Sequence, residues 1–156
     1  MKKILLLLLS HGAMLAIGFA AGIYVLPILI APKGPTAGEA SAASAGALFT
    51  TQFRRDHPGS DALHWGEGTV SLSPQQVVLN GRLAPGPDYK LYLLREDVQN
   101  RAAFLAVKQQ AVRLGDVKTF DNFIVPVPPQ VDVAAYNTVL VWCESFSMFI
   151  AAARYR

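Results

Sequence analysis

Cys143 is the only cysteine of this 156-residue chain, and it follows directly on Trp142, one of two tryptophans. A single cysteine closes no disulfide within the chain, so it is a buried thiol, a reactive thiol or half of an intermolecular pair. Reactivity requires the thiolate, hence partial exposure beside a positive charge or a hydrogen-bond donor. Glu144 would raise the thiol pKa if it pointed the same way, but strand alternation sends it to the opposite face. Free cysteine is also among the most buried residue types, so a packing role is the plain alternative. His57 and His64 are the histidines that would join Cys143 as metal or haem ligands, yet nothing in their local spacing supports a ligand set. No cofactor is therefore required by the sequence.

The other polar candidates are dispersed. Asp61, Glu67, Asp88 and Asp116 stand mostly beside glycine, where turn and cap duty explains them better than paired acid–base chemistry. Trp65, Tyr89, Tyr92 and Trp142 suit a carbohydrate or quinone platform, or simply the core of a small β domain. The CxxC, HExxH, CxxCH, P-loop, GxGxxG and GxSxG patterns are absent, so the chain is not expected to be an enzyme. Net charge is +3 and the basic residues are scattered, without the Lys/Arg stripe of a nucleic-acid binder.

The stretch that carries Cys143, Tyr136 to Arg156, reads YNTVLVWCESFSMFIAAARYR. Thr138 to Glu144 is β-branched and aromatic, and a polar break at Glu144, Ser145 and Ser147 separates it from the apolar run Met148 to Ala153, which predicts two adjacent strands. Val139, Val141 and Cys143 share one face of the first, and Thr138, Leu140, Trp142 and Glu144 the other. Both faces are largely apolar, as in a central strand.

At the other end, Lys2 and Lys3 precede an apolar run from Ile4 to Ala31, interrupted only by Ser10 and His11. At about 1.5 Å per residue that run exceeds the roughly 30 Å of bilayer hydrocarbon, whereas a cleavable signal core needs only about 7 to 15 residues. Residues 1–31 are therefore expected to be an uncleaved signal anchor, a transmembrane helix whose partner is the membrane. Small-x-small triplets at Ala40-Ser41-Ala42 and Ala43-Ser44-Ala45 lie far beyond the run for signal peptidase. Lys2 and Lys3 favour a cytoplasmic N-terminus, placing the rest of the chain outside; in a bacterium that is the periplasmic face of the inner membrane. Gly18 and Gly22 form a GxxxG match that Gly12 and Ala16 extend, although small residues are common in any membrane helix. Residues 32–47, rich in Pro, Gly, Ala and Ser, read as a flexible linker reaching on the order of 20 Å, enough to lift the following domain clear of the headgroups.

From Leu48 the pattern is mainly β. Phe49 to Asp56 is an approach segment whose pattern leaves its structure open, a short helix being one option; His64 to Leu72, Gln76 to Leu83 and Tyr89 to Leu94 read as strands, with Pro85-Gly86-Pro87-Asp88 as a turn. Asn80-Gly81 marks a bulge within the second of these. Glu96 to Gln109 favours a short helix after an Asp97 cap, and Val112 to Gly115 and Asn122 to Val127 are further short strands. Asp132 to Tyr136 is expected to be a helical turn. Residues 48–156 thus predict an all-β fold: a small antiparallel β-sandwich or barrel-like domain with one or two short helices.

Several of these segments, taken in order, resemble the DM-thirteen domain, also called the electron-transfer DM domain. The closing YNTVLVWCESFSMFIAAARY is similar to that family's hydrophobic strand ending in Trp-Cys, followed by a Phe and a small-residue strand. Gly68-Thr69-Val70, Gly86 to Leu93, and Leu114 to Lys118 followed by Ile124-Val125-Pro126 resemble its opening, Gly-Pro-Asp and middle segments. The resemblance spans Trp65 to Tyr155. It implies an extracytoplasmic β domain, found elsewhere beside DOMON and b-type cytochrome modules, in which the Trp-Cys cysteine is proposed to be redox-active; that role falls on Cys143, with Trp142 as its neighbour. The chain departs from the pattern in three places: Gly81 stands where an aromatic is common, Glu96 to Gln110 is longer than usual, and the glycine expected near Asp121-Asn122 is missing.

Two functional expectations follow. In one, Cys143 passes electrons to or from a membrane or periplasmic redox partner through a thiol that oxidises or forms a mixed disulfide. In the other, Cys143 is core, and the loops Pro85 to Asp88 and Pro126 to Gln130 make the domain a ligand- or protein-binding module.

Overall fold

Eight short strands pair into two antiparallel sheets. The computed structural model describes the whole chain, Met1–Arg156. Helix α1 (Lys2–Ile30) and helix α2 (Ala37–Ala43) precede strands β1 (Phe49–Phe53), β2 (Gly66–Leu72), β3 (Gln76–Leu83) and β4 (Tyr89–Leu94). Helix α3 (Arg101–Val107) then leads to β5 (Val112–Val117), β6 (Asp121–Pro126), β7 (Thr138–Cys143) and β8 (Met148–Arg154), with 3-10 turns at Lys108–Gln110 and Val133–Ala135. One sheet has the order β1-β2-β3-β6 and the other β5-β4-β7-β8. Their edges approach at both sides, β5 against β6 and β1 against β8, where Thr51 Oγ1 donates to the Arg154 carbonyl at 2.7 Å. The sandwich is thus close to a flattened barrel, as the strand pattern predicts.

The core lies between the sheets and includes Val70, Leu79, Leu91, Val141, Cys143 and Ile150. A second apolar layer covers the outer face of β4, β7 and β8, where Phe104 of α3 packs on Trp142, Tyr92 and Phe149. Every residue of β7 is consequently buried, with the two faces divided as alternation predicts. A bulge between Val141 and Trp142 lets Phe149 face the outer layer while Ile150 and Ala151 both face the core. The register also breaks between Leu79 and Arg82, at the Asn80-Gly81 kink. Gly81 faces Gly68 there, and a Cβ on Gly81 would stand 2.1 Å from the Glu67 carbonyl oxygen, so no side chain fits.

Three expectations require correction. Phe49–Phe53, whose structure the sequence leaves open with a short helix as one option, is a strand: it pairs with β2 along its whole length, and Phe53 enters the core. The cap of α3 is Asn100, whose Oδ1 accepts from the Ala103 amide at 3.0 Å, whereas Asp97 accepts from Gln99. The third concerns residues 32–47, which are not a free coil. Thr36 and Glu39 form a reciprocal capping box that starts α2: Thr36 Oγ1 accepts from the Glu39 amide at 3.2 Å, and Glu39 Oε2 from the Thr36 amide at 2.7 Å. Ala40 is fully buried where α2 packs on β3 and β6, and Gln76 Nε2 donates to the Ala43 carbonyl at 2.8 Å.

Asn122 clips this strap down. Its backbone is left-handed, at φ 53°; its Nδ2 donates to the Pro35 carbonyl at 2.8 Å, and its Oδ1 accepts from the Gly81 amide at 3.0 Å. Asparagine thus takes the conformation for which glycine is expected nearby, and adds two bonds that glycine lacks.

The antiparallel register collects loops 54–65, 84–88, 118–120 and 144–147 at one end of the sandwich. The Ala84 amide there donates to the Trp65 carbonyl at 2.9 Å, and the Leu83 amide to the Phe120 carbonyl at 2.8 Å. Strap residue Gly34 touches Asp121 at this same end.

Candidate functional site

The last two residues of β7 point in opposite directions. Cys143 pairs with Tyr89 of β4 and faces the core, at the end where the loops gather. It is 2% exposed, and its side chain lines a crevice of about 240 Å³. Domain walls of the crevice include Tyr89, Ile150, Leu63, His64 and Phe146, and α1 closes it with Ala20, Ile23 and Tyr24. A larger cleft of about 820 Å³ shares Ile23, Gly86, Pro87, Tyr89 and Phe146 with it. This cleft ends at a polar cluster in which Lys90 Nζ lies 2.6 Å from Asp88 and 2.9 Å from Asp116. Ser145 Oγ donates to Asp88 at 3.0 Å, and Arg113 to Asp116 at 2.7 Å. These bonds, first from Lys90, hold both carboxyls below the usual range.

Tyr89 shapes the crevice. Its hydroxyl donates to the Ala84 carbonyl at 2.9 Å, and its ring lies so close to Gly86 that a Cβ there would stand 2.3 Å from the hydroxyl oxygen. Burial pushes the Cys143 thiol pKa up, and backbone amides of Phe146 and Asp88 only partly offset it. The sulfur is therefore a neutral thiol at neutral pH, and an electron leaves it readily only if its proton leaves too.

Trp142 occupies the outer face. It is fully buried beneath α3, 4.7 Å from Phe104 between ring centroids, with Lys108 Nζ 5.5 Å from its own ring. Its indole Nε1 has no hydrogen-bond partner. Glu144 lies on this side as alternation requires, accepting from Lys108 Nζ at 2.5 Å and from the Tyr92 hydroxyl. Burial alone would raise the Glu144 pKa, but the bonds from Lys108 and Tyr92 outweigh it and leave the carboxyl below its usual range.

The histidines are not gathered as a ligand set with Cys143. His64 lines the Cys143 crevice but has its Nδ1 on Asp61 at 2.9 Å, and His57 stacks on Phe149 of the outer layer at 5.2 Å. No group of three or more His, Cys, Asp or Glu side chains is placed to hold a metal ion. Nor do the four aromatics form one platform: Tyr89 is in the core, Tyr92 and Trp142 lie under α3, and Trp65 stacks against Arg55 at 3.7 Å. Two features had no local signal in the sequence. The Tyr92–Glu144–Lys108 contact joins residues up to 52 positions apart, and α1 forms a crevice wall from a segment that reads only as a membrane helix.

A family model described as electron transfer DM13 matches residues 52–155, from β1 through β8 with Trp142 and Cys143 inside the match. No curated protein and no solved structure matches the chain.

Proposed function

The chain belongs to the electron transfer DM13 family, and from that membership we propose that it is a membrane-anchored electron-transfer accessory of the bacterial periplasm. Helix α1 is long and apolar enough to cross a membrane. In this reading residues 1–31 anchor the chain in the inner membrane with its N-terminus in the cytoplasm, residues 32–47 connect, and residues 48–156 form the periplasmic domain. Cys143 is the redox group, with Trp142 behind it on the same strand. The thiol is oxidised, or joined to a partner's thiol in a mixed disulfide, giving up protons with its electrons, and the partner is a membrane or periplasmic redox protein. The observation that carries this reading is the position of Cys143: it lies at the loop end of the core and lines a crevice, rather than being packed on all sides.

The 2% exposure of Cys143 favours a second reading, a binding module in which the thiol only packs. In that case recognition falls on Pro85 to Asp88, because Pro126 to Gln130 lies at the opposite end of the sandwich and cannot share a surface with it.

Thiol labelling of the full chain in lipid nanodiscs separates the two. A small apolar methanethiosulfonate is expected to modify Cys143 in the native state at least about tenfold faster than its sulfonate-bearing analogue, because the crevice walls are apolar and the thiolate is disfavoured. Labelling by both reagents only at the rate of global unfolding would sink the redox reading and leave a packing cysteine.

A further inference from the structure

Helix α1 has 29 residues, about 43 Å at 1.5 Å per residue, against roughly 30 Å of hydrocarbon and 40–45 Å with headgroups included. Only Ala31, Pro32 and Lys33 separate its end from Gly34, which is pressed so closely onto Asp121 that a Cβ would stand 2.1 Å from the Asp121 carbonyl oxygen. From Ile30 to Gly34 the chain spans at most about 14 Å. The domain thus cannot lift away from the helix. Because Asp121 belongs to the end that carries loops 54–65, 84–88, 118–120 and 144–147, it is this end that faces the helix terminus.

The same end is dressed for lipid. Leu63 is 58% exposed and Phe146 48% exposed, two of only four large exposed apolar side chains that follow α1. Both are held outward by rigid turns. Asp61 Oδ1 accepts from the Leu63 and His64 amides at 2.7 and 2.8 Å. In the Phe146 turn, Ser147 takes φ 49°, and its carbonyl accepts from Arg101 Nε at 2.7 Å. Each acidic side chain at this end has a basic neighbour: Asp56 has Arg54, Asp61 has His64, Glu67 has Arg55, Asp88 and Asp116 have Lys90, Asp121 has Arg82, and Glu144 has Lys108. Lys33 and Lys118 are exposed and form no ion pair, which leaves two ammonium groups at this end able to meet phosphate headgroups.

We propose that this end of the sandwich rests in the headgroup layer of the bilayer, with Leu63 and Phe146 at the acyl boundary, so that the Cys143 crevice opens toward lipid rather than toward water. The proposal rests on α1 being a membrane anchor. It adds that the molecules able to reach Cys143 are those that partition into the membrane. Gly18 and Phe19, about three helical turns before the end of α1, line the larger cleft together with Phe146 and Pro87, so these loops lie alongside the helix rather than beyond its end.

The test uses the full chain in nanodiscs of mixed neutral and anionic lipid, with single cysteines at Leu63→Cys, Phe146→Cys and, at the opposite end, Gln130→Cys, each carrying a polarity-sensitive fluorophore. Wild-type chain treated identically supplies the Cys143 background. The labels at 63 and 146 are expected to be quenched by lipid bearing a shallow nitroxide, and to be several-fold less sensitive to aqueous iodide than the label at 130. Iodide sensitivity equal to that at 130 in chain that remains with the disc would overturn the docking while leaving the anchor standing. Protection from both quenchers would also overturn it, and would assign the face to a protein contact. Chain that separates from the lipid altogether would overturn the anchor and the docking together.

Discussion

Asn122→Ala removes the clip between strap and sheet, and its cost follows from what the side chain touches. Two bonds are lost, Nδ2 to the Pro35 carbonyl at 2.8 Å and Oδ1 from the Gly81 amide at 3.0 Å, each worth about 0.5–1.5 kcal/mol net. The left-handed backbone at φ 53° adds roughly 1 kcal/mol more, because alanine tolerates that region less well than asparagine. The sum is about 2–4 kcal/mol. Asn122→Gly loses the same bonds but no longer strains the backbone, so it should cost roughly 1 kcal/mol less than alanine. Urea unfolding of the full chain in mild detergent reads both; at a slope of about 1–3 kcal/mol per molar, the alanine variant shifts the midpoint by on the order of 1–2 M. Limited proteolysis under native conditions should at the same time begin to cut within residues 32–47. Unfolding free energies for both variants within about 0.5 kcal/mol of wild type, with the strap still resistant, would refute the assignment of Asn122 as its fastening.

The remaining predictions concern the two faces of β7. Trp142→Phe should change stability by less than about 1.5 kcal/mol, because the lost volume is offset by removing a buried indole N–H that has no acceptor. Trp142→Ala should cost about 3–5 kcal/mol; equal effects of the two in thermal unfolding would show that the indole nitrogen is satisfied after all. Glu144 has a folded-state pKa below its ordinary 4.5, so the stability it adds is fully present above that value and is lost as pH falls through the lower folded value. Glu144→Gln should therefore flatten part of the acid limb of a stability–pH profile measured from pH 7 downward. Asp88 and Asp116, shifted in the same direction, keep a residual slope in the variant.

What could be read from residue order alone was whatever short-range periodicity controls. The alternation in Thr138 to Cys143 carries both the strand and the opposed placement of Trp142 and Cys143, because a period of two leaves one assignment when both faces are apolar. The Asn80-Gly81 kink was legible for a similar reason. Phe49 to Phe53 was not, since a run of five with two threonines and a glutamine has no strong period, and only pairing with β2 decides it. The strap hid behind its composition: Ala, Ser and Gly suggest a loose chain, yet Thr36-x-x-Glu39 is a legible helix start, and one buried alanine suffices to seat the helix. The crevice at Cys143 was beyond reach because its walls come from α1, three separate loops and the ends of three strands.

The seated strap also bears on how the chain matures. The small-x-small triplets Ala40-Ser41-Ala42 and Ala43-Ser44-Ala45 are wound into α2 and the turn that follows it, with Ala40 wholly covered by the sheet. A processing peptidase takes its substrate as an extended, accessible strand. Once the domain has folded, that form is no longer on offer, so cleavage there would have to outrun folding.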